Sequence, residues 1–220
     1  MSLPDELSSF AEEVLFLDSF KARVYAMDFS DEEQWQTAKF LAEALLFRLY
    51  RAQERLVRAI FLDTCVTHKS YRGISVTSRL SCPDWGSAEE IMKSSVAKFL
   101  DWGNPQQTTQ RASIIFEGGF PITDTIGPLH STLVDLQRIR NFIAHDSMEA
   151  ETQFRKAASN YVSTGVVGLQ SAGDLLLTRK RAREAYVLTK LMGWMLPPTA
   201  ASQCARLALL EVSENERKHP

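Results

Sequence analysis

Cysteine is scarce in this chain: Cys65, Cys82 and Cys204 are an odd number, widely spaced, with no CxxC pair. That excludes a disulfide framework and offers no zinc-ligand spacing, so no metal is expected and a reducing, cytoplasmic setting is. Long apolar runs are missing too, none approaching the ~20 residues that a membrane-spanning helix requires, and the first residues, MSLPDELSSFAEEV, are acidic where a signal peptide would be basic. Neither GxxxxGK(S/T) nor GxGxxG occurs, which leaves no glycine-rich phosphate loop. There is no excess of positive charge: 25 Lys and Arg stand against 27 Asp and Glu, a formal net charge of −2. Broad, charge-driven nucleic-acid binding is therefore excluded, and any RNA contact has to be local.

What is present is an ordinary globular composition, 45% hydrophobic and 24% charged over 220 residues, enough to bury a substantial core. Apolar residues recur at helical spacing through most of the chain, and the expected architecture is one all-α domain over residues 1–220. Pro4, Asp5 and Glu6 open a first helix through Phe10, Val14, Leu15 and Leu17, with the acids at the positive end of its dipole. Ser30-Asp31-Glu32-Glu33 starts the longest helix, to about Leu62. Residues 67–87, rich in Ser, Thr, Gly and Pro, read as an irregular connection. His68, Lys69, Tyr71, Arg72 and Trp85 within it either line a ligand groove or belong to an ordinary surface loop. Helices are expected over 87–102, 108–117, 148–161, 178–196 and 199–213, with a loop over 120–128. The glycine-interrupted residues 161–177 are read as loosely wound helix in preference to a turn plus helix.

Residues 129–147, LHSTLVDLQRIRNFIAHDS, constrain function most. Leu129, Leu133, Leu136 and Ile143 lie on one face of an amphipathic helix, and Arg140 lies on that same face. A guanidinium in an apolar stripe needs an anionic or hydrogen-bonding partner. Glu43 or Glu54 on the long helix is a candidate partner, which would make Arg140 structural. Asn141 follows directly, and His145 comes five residues after Arg140, about 140° away around a regular helix. The Asp146-Ser147-Met148-Glu149 pattern opens a new helix, so His145 falls at a helix end and can leave the regular array. A second copy related by a twofold axis would bring two Arg and two His into one cleft.

Arg140-Asn141-Phe142-Ile143-Ala144-His145, on a late helix with a Leu-rich approach and a following helix carrying Phe154, resembles the Arg-x4-6-His motif of the HEPN superfamily in its Arg-Asn-x-x-x-His form. The resemblance implies an HEPN-like helical bundle over about residues 35–195, with extra N- and C-terminal helices. It also implies a metal-independent endoribonuclease with Arg140, Asn141 and His145 at a site completed by homodimerisation, products ending in a 2′,3′-cyclic phosphate, and a toxin–antitoxin or phage-defence role. An antitoxin or regulatory protein is then a candidate partner.

Such cleavage needs no cofactor, because the ribose 2′-hydroxyl attacks its own phosphodiester once a base accepts its proton and an acid assists the leaving 5′-oxygen. Histidine can hold or release that proton at cellular pH. The planar arginine fork matches phosphate oxygens, and Asn141 can donate to a phosphate or orient the imidazole. Arg48, Arg51, Arg55 and Arg58 on the long helix are candidate RNA contacts, as is the Arg179-Lys180-Arg181, Arg183 cluster; the alternative for each is a solvated helix face. His130 is a lesser candidate for chemistry. From another class comes the noncatalytic alternative: an HEPN-like dimerisation, nucleotide-binding or protein-interaction module. A third alternative is a chance match, with His145 capping a helix beside a structural Arg140.

Overall fold

The computed structural model describes residues 2–70, 73–93, 99–162 and 168–193. Tyr71, Arg72, Cys204 and the helix expected over 199–213 lie outside them. Among the described residues every regular element is a helix, and the only strand-like pairings are two isolated bridges, Lys69 with Ser75 and Ser78 with Phe116. The fold is all-α, as the periodicity predicted. No helix among these residues is long and apolar enough to cross a membrane.

The described residues cluster into two compact units, one of residues 2–11 and Ala52–Leu133, the other of Glu12–Arg51 and 134–193. Helices α1 (Leu3–Tyr25), α2 (Glu32–Thr67) and α6 (His130–Ala144) run through both by chain continuity. The inward stripe of α1, Leu3, Phe10, Val14, Leu17 and Val24, is buried at helical spacing. Helix α2 starts where Asp31 Oδ1 accepts the Gln34 N–H at 2.8 Å, satisfying an otherwise orphaned donor.

In the first unit, Asp84 caps α3 (Trp85–Met92), and Asn104 with Pro105 starts α4 (Pro105–Ile115). Phe61 anchors this unit, its ring 5.1 Å from Trp102 and 5.0 Å from Phe116. Each such buried ring contributes roughly 1.5–3 kcal/mol. The helix expected over 87–102 is shorter: it ends at Met92, Lys93 is extended, and Ile91 and Phe99, assigned to a core face by periodicity, are exposed. Val96 lies outside the described residues. The expected loop over 120–128 instead contains α5 (Ile122–Ile126) and a 3-10 turn. Gly119 enters it at φ 74°, where a Cβ would stand 2.3 Å from Thr123 Cγ2.

In the second unit, α6 and α7 (Met148–Ala158) form consecutive helices joined by residues 145–147. Two contacts clamp them: Phe142 stacks on Phe154 with centroids 4.2 Å apart, and the buried Asp135 accepts from Asn160 Nδ2 at 2.8 Å. Burial and the neighbouring Asp135 carboxylate hold the Tyr161 phenol above its usual range, so it remains a neutral donor there.

Helix α8 (Ala172–Leu176) starts with a full capping box between Ser171 and Asp174. Gly173 passes so close to α2 that a Cβ would lie 2.5 Å from Lys39 Cβ and 2.8 Å from its Cα. The loosely wound helix expected over 161–177 reduces, in its described part, to α8. The strong helix expected over 178–196 reduces, in its described part, to α9 (Val187–Met192), because residues 178–186 close a loop through the bond from Val187 N–H to the Thr178 carbonyl. Arg179 and Arg183 would have been like charges one helical turn apart, which disfavours that helix.

Candidate functional site

Helix α6 keeps its hydrogen-bond ladder up to His145, whose N–H donates to the Asn141 carbonyl at 2.9 Å. Ser147 then caps α7 by accepting the Ala150 N–H, so the new helix starts one residue later than the Asp146-based pattern predicted. His145 consequently sits in a three-residue corner between two clamped helices, with its side chain exposed. The imidazole makes no hydrogen bond or ion pair among the described residues.

Arg140 is held differently. Leu133, Leu136 and Ile139 of the same helix are buried, and Arg140 is partly buried beside them. Its guanidinium lies over two rings of α2, 5.3 Å from the centroid of Phe47 and 5.2 Å from that of Tyr50. One terminal N–H donates to Asn141 Oδ1 at 3.0 Å. Nε is buried with no acceptor. Arg140 forms no ion pair among the described residues. Glu43, offered as one partner, is engaged elsewhere: its Oε1 accepts the Gly173 N–H at 2.7 Å. The aromatic faces supply the cation's main company, which sequence spacing did not reveal; the available signal was a pair of rings three residues apart on α2.

The four candidate arginines of α2 divide. Arg48 is forked onto Glu13 at 2.9 and 3.0 Å and also lies over Phe16. Arg58 is forked onto Glu89 at 3.0 and 2.6 Å. Arg51 and Arg55 are exposed. Of the residues proposed for a groove, His68 takes a left-handed conformation at φ 54° after α2, with its carbonyl accepting from Val76, and Trp85 begins α3. His130 is the exposed first residue of α6.

No group of three or more His, Cys, Asp or Glu side chains is placed to hold a metal ion among the described residues. The arrangement that does exist sets a partly buried cation with no carboxylate partner among the described residues beside an amide, on the same helix end as an exposed imidazole. Comparison with protein-family models, with curated proteins and with solved structures finds no match for this chain.

Proposed function

We propose that this protein is a metal-independent endoribonuclease of the HEPN type, acting as a homodimer with the α6 motif at the interface. One observation carries the reading: Arg140 is a partly buried guanidinium without a carboxylate partner among the described residues, its Nε lacking an acceptor. A charge held half out of water without a counter-ion is favourable ground for an anion, and a phosphodiester matches the guanidinium fork.

In this mechanism the 2′-oxygen bonds to phosphorus while the bond to the 5′-oxygen breaks. An imidazole accepts the 2′-hydroxyl proton, and a second imidazole, from the other protomer's His145, gives a proton to the leaving oxygen. Arg140 stabilises the negative charge gathered on the pentacovalent phosphorus. Asn141 holds the guanidinium through Oδ1 and leaves its amide N–H groups for the phosphate. The partner RNA is then bound locally, consistent with the net charge of −2.

The test is cleavage in EDTA of an RNA and of the same strand with 2′-deoxyribose at the cut position. The expected result is chelator-resistant cutting of the first, with a 2′,3′-cyclic phosphate end, and none of the second. Cutting of the deoxy-substituted strand, or loss of activity in EDTA, would refute the mechanism. A second reading, a noncatalytic dimerisation, nucleotide-binding or protein-interaction module, draws support from the His145 imidazole having no orienting hydrogen bond among the described residues. It predicts phosphate binding at Arg140 without RNA cleavage.

A further inference from the structure

The loop over residues 178–186 is tied at its base by the 3.0 Å bond from Val187 N–H to the Thr178 carbonyl. It presents Arg179, Lys180, Arg181 and Arg183, all exposed. The loop's carboxylate, Glu184, is already engaged, 2.7 Å from Lys190 Nζ and 3.9 Å from Arg181 Nε. Arg179, Lys180 and Arg183 form no ion pair among the described residues. Three uncompensated cations within five positions repel one another, and a polyanion relieves that repulsion.

Next to these cations runs a row of rings. The Arg179 guanidinium lies 3.8 Å from the centroid of Tyr186. Tyr186 is 4.5 Å from Tyr25 and 6.1 Å from Phe29, and Phe29 is 5.3 Å from Trp35. All four aromatic residues are partly exposed. The row is held in place where Tyr25 Oη meets Thr189 Oγ1 at 2.7 Å. Cations alone would be a solvated face, and rings alone a small core. Together they form the combination by which proteins hold unpaired strands, phosphates on cations and bases on aromatic or guanidinium faces.

We infer that the 178–186 loop and the Tyr25, Phe29, Trp35, Tyr186 row bind single-stranded nucleic acid. Phosphates lie on Arg179, Lys180 and Arg183, and a base stacks on the exposed Arg179 guanidinium, which the Tyr186 ring backs. Asp28 and Asp31, exposed on either side of Phe29 in the chain, disfavour phosphates at that end, so the backbone track ends there. An anionic lipid surface would use the same cations, and vesicle competition distinguishes it from a strand. The site shares no residue with Arg140, Asn141 and His145, and it holds a strand whether or not that strand is cut.

The test is fluorescence anisotropy of labelled oligouridylate and oligothymidylate over a salt series, using the full chain carrying His145→Ala so that no strand is consumed. Affinity is expected to fall with salt. Replacing Arg179 and Arg183 together by Glu should weaken binding on the order of tenfold or more and lower the log–log salt slope by about 0.7 per lost phosphate contact. Tyr186→Leu should weaken it roughly fivefold or more with the slope unchanged. Arg179→Lys, which keeps the charge and loses the planar face without touching the core, should give a smaller loss, also at unchanged slope. Affinity and slope unaltered by the double Glu change would overturn the assignment. So would binding to phosphatidylserine-containing vesicles that competes with the oligonucleotide and is indifferent to Tyr186→Leu and Arg179→Lys. Absence of RNA cleavage by the unmutated protein would leave these binding results standing, and would count against the nuclease reading alone.

Discussion

Arg58 and Arg140 are both partly buried arginines on long helices, and they are satisfied in opposite ways. Arg58 is gripped by the two oxygens of Glu89, and each raises the other's preference for the charged form: Glu89 is held below the usual carboxylate range, chiefly by the hydrogen bond from Arg58. Arg140 has an amide, two ring faces and an Nε without an acceptor. The first arrangement is complete within the chain. The second has no carboxylate among the described residues, and on the proposed reading that contrast separates a structural arginine from one that meets a ligand's anion.

Removing the completing partner should cost most. Glu89→Ala leaves the Arg58 charge uncompensated, and after discounting for its partial exposure the loss is about 2 kcal/mol, to be read from urea unfolding near neutral pH. Because the folded carboxyl of Glu89 titrates below its unfolded value near ~4.3, its contribution is present above that value and lost as pH falls through the lowered one. The stability difference between the unmutated protein and Glu89→Gln should therefore shrink in acid.

Next in size is Glu43→Ala, which orphans the Gly173 N–H and should cost about 1–2 kcal/mol while leaving phosphate protection of the protein unchanged. A parallel fall in phosphate protection would mean that Glu43 serves Arg140 after all. Phe47→Leu removes one ring face from Arg140 and should weaken phosphate binding by about 0.5–1 kcal/mol, measured by the ligand-induced rise in melting temperature. The smallest effect on stability belongs to Arg140→Met. It deletes an unsatisfied buried donor together with its charge, so unfolding should shift by less than ~0.5 kcal/mol or move to higher urea. A loss as large as that of Glu89→Ala would show that Arg140 is structural.

The helices that carry these arginines could be read in the chain, but not what satisfies each of them. The stripe of Leu133 and Leu136 with Arg140 beside it, the helix end at His145 and the long α2 follow from local period and capping, which neighbouring residues determine. The environment of Arg140 does not, because the phase of one helix against another is a tertiary quantity: Glu43 was offered as a partner and belongs to Gly173. Gly173 itself looked like an interruption, whereas its missing side chain admits Lys39 of α2. The loop at 178–186 was hidden for another reason. Its flanks have helical periodicity, and the Thr178–Val187 closure and the stacking of Arg179 on Tyr186, which favour a turn over a helix, are tertiary contacts. The same applies over 87–102, where Ile91 and Phe99 have the right spacing for a core face and are exposed.

The most direct measurement is single-turnover cleavage of a labelled RNA in EDTA by the unmutated protein and by Arg140→Ala, His145→Ala and Arg58→Ala, each checked for helicity and oligomeric state. Arg140→Ala and His145→Ala should each lose roughly 10²-fold or more in rate with the fold and assembly intact, while Arg58→Ala unfolds at lower urea but still cuts. Cutting by Arg140→Ala at the unmutated rate, or no cutting by the well-folded unmutated dimer across several RNAs, would contradict the account.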